Sequence, residues 1–217
     1  QESTTRVTRV QRLSPWCMTL QVRTPRQRTL RFLAGQYVVL QGPQGLSTEV
    51  AVASCPCNGR DLEFHLRDKG DPFARWALAE LAVGTSLELR GPYGAFALDE
   101  ASPRTLLLVA EGTGFAPVRS LLEHALAREL AQPILLVWVA GGTCGHYQAN
   151  YCRSVMDAVD NVTFTPLPAA GDDPAAAAAS VVAQVPTGTA FDLYISARPE
   201  LTEPVREALA GRGVAPV

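Results

Sequence analysis

The sequence predicts an all-β domain followed by an α/β domain, namely a six-stranded antiparallel barrel and then a parallel sheet of the nucleotide-binding type. Up to residue 90, short apolar or alternating segments are separated by Gly, Pro, Asn and Asp, without a long helix between them. This spacing is typical of a small antiparallel barrel. After Pro103, strand-like and helix-like segments alternate, which indicates right-handed crossovers within a parallel sheet. We therefore expect domains over residues 1–98 and 103–217.

The expected elements follow from hydrophobic periodicity and from the turn residues between them. The barrel strands are predicted over residues 6–13, 18–23, 36–41, 49–53, 61–66 and 86–90, with one helix over 72–81 closing an end. In the second domain, strands are predicted over 105–110, 133–140, 161–166 and 190–195. The helices that follow them are predicted over 116–129, 146–158, 174–184 and 200–210.

The strongest functional motif lies within LLLVAEGTGFAPVRSLLEHAL, residues 106–126. An apolar strand ends at the flexible turn Gly112-Thr113-Gly114, and a helix follows. The first N–H groups of a helix have no partner inside it, so they point back at such a turn and bind phosphate. Ligands of open parallel sheets bind beyond the carboxyl ends of the strands, where the loops 111–117, 141–146 and 196–199 are expected to meet. The sequence therefore favours a nucleotide site over an ordinary glycine-rich turn.

Composition excludes several other classes of function. The net charge of −2 supplies no basic field for nucleic acid, and no apolar run is long enough for membrane insertion. The five cysteines lack paired CxxC units, so neither a metal site nor a disulfide framework is expected. Cys55-Pro56-Cys57 is interpreted as a turn with idle thiols rather than a redox pair, and a reducing cytoplasmic compartment is expected. Because the chain begins at Gln1, we expect a processed product or a piece of a longer protein.

Five segments give the chain a family resemblance. Their order and spacing are similar to those of the ferredoxin-NADP reductase superfamily, in particular flavin reductases and the reductase components of bacterial oxygenases. The segments are Gly35-Gln36-Tyr37, AVAS at 51–54, GPYGAF at 91–96, GTGFAP at 112–117 and YISARPELT at 194–202. The resemblance implies FAD or FMN on the barrel and NAD(P)H on the α/β domain. It also implies hydride transfer from nicotinamide to flavin, and then single-electron transfer to an iron–sulfur protein or another acceptor.

The resemblance also implies which positions would hold flavin. The family motif Arg-x-Tyr-Ser falls on Thr48, Val50 and Ala51, ahead of Ser54, so the Arg for phosphate, the Tyr for stacking and the Ser near the reactive nitrogen are all replaced. Losing the charged phosphate contact alone removes about 1.5 to 3 kcal/mol of binding free energy. A second element retains its glycine but has Ala74 at its hydroxyl position. Its implied flavin contacts are His65, Arg67 and Gly70, although Arg67 is equally consistent with a solvated strand charge.

On the nicotinamide side, the implied dinucleotide contacts are Gly112, Thr113, Gly114, Phe115, Pro117 and Pro199. Ser196-Ala197 occupies the place of the family's Cys-Gly, so Ser196 is the candidate catalytic residue near the nicotinamide. Glu111 stands immediately before the glycine turn, where it either repels phosphate or turns outward. Thr143 replaces an Arg that selects NADP, which favours NAD.

Two hypotheses of different classes remain. The favoured one is an NAD(P)H-dependent flavin oxidoreductase or electron-transfer module that passes electrons through flavin to a redox protein or a larger multisubunit complex. The alternative is a flavin-free, catalytically silent subunit that kept the fold as a binding or structural module. The alternative is supported by the clustering of replaced residues at functional positions, whereas the favoured reading is supported by the intact glycine turn.

Overall fold

Two sheets, one antiparallel and one parallel, form as the hydrophobic periodicity predicts, and the fold class is confirmed. The computed structural model describes residues 1–169, 171 and 173–212, together with the backbone of 214–216. Contacts divide the chain into two units. The first contains Gln1–Leu98 and Arg119–Arg128, and the second contains Asp99–Val118 and the chain from Glu129 onward.

The first unit is a six-stranded antiparallel barrel with the strand order β4-β3-β6-β1-β2-β5. Its strands are β1 (Glu2–Ser14), β2 (Cys17–Arg23), β3 (Tyr37–Gln41), β4 (Ser47–Ala51), β5 (Asp61–Arg67) and β6 (Ser86–Tyr93). An isolated antiparallel bridge between Val52 and Phe64 joins the two edge strands. The Ala53 N–H also donates to the Glu63 carbonyl at 2.8 Å, so the sheet nearly closes on itself.

Helix α1 (Pro72–Glu80) follows β5 and agrees with the predicted helix over 72–81. Asp71 caps its N-terminus by accepting from the Phe73 N–H at 2.9 Å, and Pro72 occupies the first turn, where a missing N–H costs nothing. Phe73 and Ala77 are fully buried in the barrel, so the helix packs its apolar side on the barrel core.

The register of β3 against β4 decides which barrel residues face the core. Val38 lies opposite Val50, and both belong to the core cluster. Tyr37 lies opposite Ala51. Because successive side chains in a strand point to opposite faces, Tyr37 and Ala51 lie on the face away from that core.

The second unit is a parallel sheet with the order β11-β10-β7-β8-β9. Its strands are β7 (Thr105–Glu111), β8 (Ile134–Val139), β9 (Val162–Leu167), β10 (Phe191–Ser196) and β11 (Val214–Pro216). The helices of this part of the chain are α2 (Phe115–Ala127), α3 (Ala149–Ala158), α4 (Pro174–Ala183) and α5 (Pro199–Ala210). The sequence did not predict β11, because three residues ending in Pro carry no periodic signal.

Strand β7 is the centre of this sheet. The chain runs outward through β8 and β9 and then crosses to the other side of β7 to form β10. Ala110 of β7 therefore pairs with Ser196 of β10, and the loops that follow these strands leave the same edge in opposite directions. Such a switch point forms a crevice that binds ligands in open α/β sheets.

Within the described residues, we find no helix with the length and apolar character needed to span a bilayer.

Candidate functional site

The glycine turn at the end of β7 is closed against the end of β10. A Cβ atom on Gly114 would lie 2.1 Å from the Ser196 carbonyl oxygen, which is too close for two non-bonded atoms. Only glycine, which has no Cβ, therefore fits at this position. Gly112 adopts a positive φ of 55°, and the Phe115 N–H donates to the Gly112 and Thr113 carbonyls. The backbone of the turn therefore lies at the switch point in contact with the end of β10, and α2 begins immediately after the turn.

Aromatic side chains support the turn from within the unit. Phe115 is fully buried and stacks on Trp138 with ring centroids 4.0 Å apart. The Trp138 indole N–H donates to the Gly112 carbonyl at 3.1 Å, while His146 and Tyr147 contact Trp138 edge-on. The family resemblance implies Phe115 as a cofactor contact, whereas no sequence motif points to Trp138, a fully buried tryptophan near the end of a core strand. Both side chains hold the glycine turn in place.

Glu111 and Arg198 form an ion pair across the switch point. Glu111 accepts from the Arg198 Nε at 2.9 Å and from the Arg198 backbone N–H at 3.2 Å. The Glu111 side chain is only 12% exposed, and Arg198 also donates to the Gly171 carbonyl at 3.4 Å. The carboxylate therefore neither faces phosphate unpaired nor turns out to solvent, since it is compensated by a cation on the neighbouring loop.

The other predicted positions of this unit are distributed around the same edge. Thr113 and Ser196 are half-buried beside the turn, and Pro117 is buried in α2. Pro199 is exposed at the first position of α5. Thr143 is exposed in the loop after β8. The structure thus brings Thr113, Ser196 and Pro199 to the edge where β7 and β10 end, and places Pro117 within the packed helix.

In the barrel, the three positions of the flavin motif do not share one face. Thr48 is half-buried and donates its hydroxyl hydrogen bond to Asp71, the cap of α1. Val50 is 7% exposed within the core cluster. Ala51 lies on the opposite face of the strand, next to Tyr37. Thr48 and Val50 therefore connect β4 to the barrel interior, and Ala51 is the member of the three that faces outward.

An aromatic pair beside Ala51 was missed by the sequence reasoning. Tyr37 and Tyr93 have ring centroids 5.7 Å apart, and Tyr93 is 44% exposed. Their strands pair at these residues, so both rings project from the same face as Ala51. The motifs that contain them, Gly35-Gln36-Tyr37 and GPYGAF, were a usable signal, but their tyrosines were not assigned a role.

The turn after β5 gathers cationic side chains around a glycine. Gly70 has a φ of 92°, and its N–H donates to Asp68 at 2.7 Å. Arg75 of α1 pairs with Asp68 at 3.3 Å. Arg67 is half-buried at the end of β5 and forms no salt bridge with any described residue. Ala74, at the position where the resemblance implies a hydroxyl, is buried and contributes only packing.

A buried polar cluster joins β5 to the part of α2 that begins at Arg119. We call Glu63, His65, Arg119 and Glu123 the Glu63 cluster. His65 Nε2 lies 3.1 Å from Glu63 Oε1, Arg119 contacts the same carboxylate, and Arg119 pairs with Glu123 at 2.8 Å. Burial lowers the pKa of His65 below its ordinary value, so the ring is neutral and donates to Glu63. Burial alone would raise the pKa of Glu63, but the His65 hydrogen bond and the Arg119 charge bring it well below its usual range.

Two predicted barrel residues therefore have structural partners. His65 is buried within the Glu63 cluster. The Ser54 hydroxyl accepts from the Glu63 N–H at 3.1 Å, and the Ser54 carbonyl accepts from Ser120 at 2.8 Å. Both residues stabilise the edge at which the barrel closes.

The described part of the chain contains no group of three or more His, Cys, Asp or Glu side chains able to hold a metal ion.

The prediction of idle thiols at residues 55 and 57 is wrong. Cys55 and Cys57 form a disulfide, with Cα atoms 5.1 Å apart across the turn Pro56–Asn58. The tight turn after Cys55 brings the two side chains together. Two cysteines separated by one residue do not have to meet in this way, so the sequence alone does not predict the bond.

Comparison with known proteins agrees with this architecture, although no protein-family model matches the chain. The chain is 32% identical to the NAD(P)H-flavin reductase of Vibrio harveyi over 70% of this chain and 66% of that protein. It is 26% identical to the NAD(P)H-flavin reductase of Aliivibrio fischeri, over 88% and 85%. The terephthalate 1,2-dioxygenase reductase component 1 of Comamonas is 32% identical, but the match spans only 38% of its length.

Solved structures share the fold. An Amycolatopsis cytochrome P450 reductase superposes with a TM-score of 0.84 at 23% identity, over 100% of this chain and 69% of that one. A ferredoxin NADP+ reductase from Neisseria gonorrhoeae with bound FAD and NADP gives 0.79 at 16% identity, over 100% and 98%. A barrel followed by a parallel sheet, with a glycine turn at the switch point of that sheet, is thus the fold that this chain shares with ferredoxin-NADP reductases. In sequence, the chain is similar to NAD(P)H-flavin reductases.

Proposed function

We propose that the chain is an NAD(P)H-dependent flavin oxidoreductase, or the corresponding module of a longer electron-transfer protein, which passes electrons through flavin to a protein acceptor. The proposal rests on the Gly112–Gly114 turn, which lies at the switch point and approaches Ser196 so closely that only glycine is accommodated. The flavin reductases and oxygenase reductase components among the relatives support it.

The residues at the switch point fit a dinucleotide. We infer that a pyrophosphate would bind at the N-terminus of α2, since the first N–H groups of a helix have no partner within it and a glycine turn precedes this helix. Arg198 supplies a cation at the same edge, and its pairing with Glu111 removes the charge repulsion expected from an isolated carboxylate. Thr113 and Ser196 add hydroxyl groups beside the turn. We propose NAD rather than NADP as the preferred form, because the exposed Thr143 offers no cation for an additional phosphate.

The barrel fits a flavin through residues other than those of the family motif. The aromatic pair Tyr37 and Tyr93 offers an exposed ring face, and Ala51 beside it leaves that face uncovered. Arg67 and the Gly70 turn are the proposed phosphate contacts. Bound FAD would supply the conversion of a two-electron donor into single electrons, while the protein orients the cofactor and excludes competing reactions.

Ser196 is proposed as the residue that positions the nicotinamide, since its hydroxyl lies at the end of β10 beside Gly114. The proposed acceptor is a redox protein or a larger complex that contains one. We also propose a cytoplasmic location, because an enzyme that draws on the NAD(P)H pool has to share a compartment with it.

The test is the visible absorption spectrum of the purified protein after incubation with excess FAD or FMN and desalting. We expect a retained flavin band that bleaches when NADH is added without oxygen. Tyr93→Leu should weaken flavin binding about fivefold, since aromatic stacking contributes about 1 kcal/mol. The matched control is Trp16→Leu, which changes an aromatic residue that is also half exposed, in the β1–β2 turn. A colourless protein that retains no flavin would instead support the silent binding module.

A further inference from the structure

We propose that Cys55 and Cys57 form a reversible thiol–disulfide exchange site whose substrates are thiol reductants. The site is separate from the residues assigned above to flavin and dinucleotide, and it does not depend on the proposed function. Its starting observation is a disulfide within one tight turn, between a buried and an exposed cysteine.

The difference in exposure between the two cysteines determines which sulfur an external thiolate attacks. Cys55 is 2% exposed, whereas Cys57 lies on the surface. An incoming thiolate can therefore reach the sulfur of Cys57 and not that of Cys55. Attack at Cys57 makes Cys55 the leaving group, because exchange proceeds through a mixed disulfide on the attacked sulfur.

The surroundings of Cys55 suit a sulfur that leaves as a thiolate. The Cys57 backbone N–H points at the Cys55 sulfur at 3.1 Å, and His124 Nδ1 of α2 lies 3.9 Å from it. N–H donors and a neighbouring imidazole stabilise a thiolate, which speeds its departure. A cysteine idle in an apolar core has no such partners.

Backbone contacts hold Cys55 in position when the disulfide opens. The Cys55 N–H donates to Glu123 at 2.9 Å, and the preceding carbonyl, of Ser54, accepts from Ser120 at 2.8 Å. Both partners belong to α2, so residue 55 remains anchored when the disulfide opens. The anchored Cys55 is then placed to displace a bound thiol from Cys57 and restore the disulfide, which makes the site reversible.

The chemistry balances with a thiol reductant as the co-reactant. A first thiolate attacks the Cys57 sulfur, the Cys55–Cys57 bond breaks, and Cys55 leaves with the electron pair and takes up a proton. A second thiolate attacks the external sulfur of the mixed disulfide and releases Cys57. In total, the protein disulfide is reduced to two thiols, and two external thiols are oxidised to one disulfide.

The experiment equilibrates the native full chain in glutathione buffers of stepped oxidised-to-reduced ratio, approached from both directions. Samples are acid-quenched, denatured, alkylated and mapped by mass spectrometry at the peptide containing residues 55–57. We expect the disulfide fraction to follow the buffer ratio and to agree from both directions. Two thiols at every ratio, or a disulfide that opens only after denaturation, would overturn the proposal.

Two single variants test the direction of attack. In Cys55→Ser, the remaining exposed Cys57 should form a mixed disulfide with oxidised glutathione. In Cys57→Ser, the remaining buried Cys55 should stay unmodified in the native protein, and the reverse pattern would contradict the assignment. His124→Gln should slow the opening reaction several-fold, and His146→Gln, the same change at a histidine bonded to the Trp138 carbonyl, is its control. Equal opening rates for the two histidine variants would show that His124 does not assist the exchange reaction.

Discussion

At the scale of single residues, the pairing of Glu111 with Arg198 changes what Glu111 is expected to do. An acid before a phosphate-binding turn repels phosphate by about 1 kcal/mol in water at about 4 Å. In this protein, the acid accepts two hydrogen bonds from Arg198 and holds its guanidinium at the edge of the turn. The pair therefore sets how much positive charge a dinucleotide meets there.

Replacing Glu111 should strengthen dinucleotide binding. In Glu111→Gln, the guanidinium of Arg198 becomes available to phosphate and a negative charge is removed, so we expect the NADH dissociation constant to fall about fivefold. Arg198→Met should raise it by a similar factor. The measurement is fluorescence or calorimetric titration with NADH, and Glu200→Gln, at an exposed acid in the first turn of α5, is the control. Tighter binding in Arg198→Met would show that the arginine does not face the ligand.

Gly114 is a second residue whose role follows from one distance. Gly114→Ala should destabilise the second unit by about 1 to 3 kcal/mol and weaken NADH binding, because the new Cβ would collide with the Ser196 carbonyl at 2.1 Å. Gly142→Ala is the matched control, since nothing lies within 4 Å of the Cβ position there. Chemical denaturation and NADH titration measure the two effects. Equal stability of the two variants would show that the glycine turn does not pack against β10.

At the scale of elements, α2 is held to β5 by buried ionic contacts from Arg119. Arg119 is 12% exposed and contacts both Glu63 and Glu123, whose side chains are 11% and 17% exposed. Removing one partner of a buried pair leaves a charge without compensation, which costs far more than the net contribution of the intact pair. The anchoring of α2 is therefore sensitive to each member of the Glu63 cluster.

Arg119→Met should lower the free energy of unfolding by about 3 to 5 kcal/mol, since Glu63 and Glu123 would lose their cation within a buried site. Arg23→Met is the matched control. Arg23 pairs with Asp61 on the surface, where the two side chains are 53% and 51% exposed, so its loss should cost far less stability than the loss of Arg119. Urea denaturation followed by circular dichroism compares them, and similar losses in both variants would contradict the buried role of Arg119.

At the scale of the whole molecule, the same cluster predicts how stability depends on pH. The folded pKa of His65 lies below its ordinary value of 6.5, so the unfolded chain binds more protons as pH falls below that value, and stability decreases. The folded pKa of Glu63 lies below its ordinary value of 4.5. Its contribution is thus fully present above 4.5 and is lost as pH falls towards the folded pKa.

Stability should therefore decline as pH is lowered from about 7 towards 4, first through His65 and then through Glu63. His65→Gln should flatten the first part of this decline, because glutamine takes up no proton. Free energies of unfolding measured by urea titration at a series of pH values would reveal it. Parallel curves for the variant and the parent protein would mean that His65 does not contribute to the acid sensitivity.

Much of the architecture was predictable because it depends on local patterns. The alternation of residues in β3, the continuous apolar run of β7 and the glycine turn after it each report their structure within a few residues. The first residues of β1, from Glu2, and the short β11 were missed, since both depend on a neighbouring strand for their hydrogen bonds.

The candidate sites were less predictable. Val50 was proposed as a flavin contact from its place in a motif, but strand pairing directs it towards Val38 in the core. Tyr93 was left without a role, although the same pairing exposes its ring beside Tyr37. Motif position specifies where a residue lies along the chain, whereas strand register decides which face it occupies.

Local periodicity and turn chemistry alone thus specify the barrel, the parallel sheet and the position of the glycine turn. The tertiary structure alone decides that Glu111 meets Arg198, 87 residues away, and that Arg119 meets Glu63, 56 residues away. The reason is physical, because such contacts depend on strand order and register. Interactions between distant segments set both, and they leave no periodic signal in the sequence.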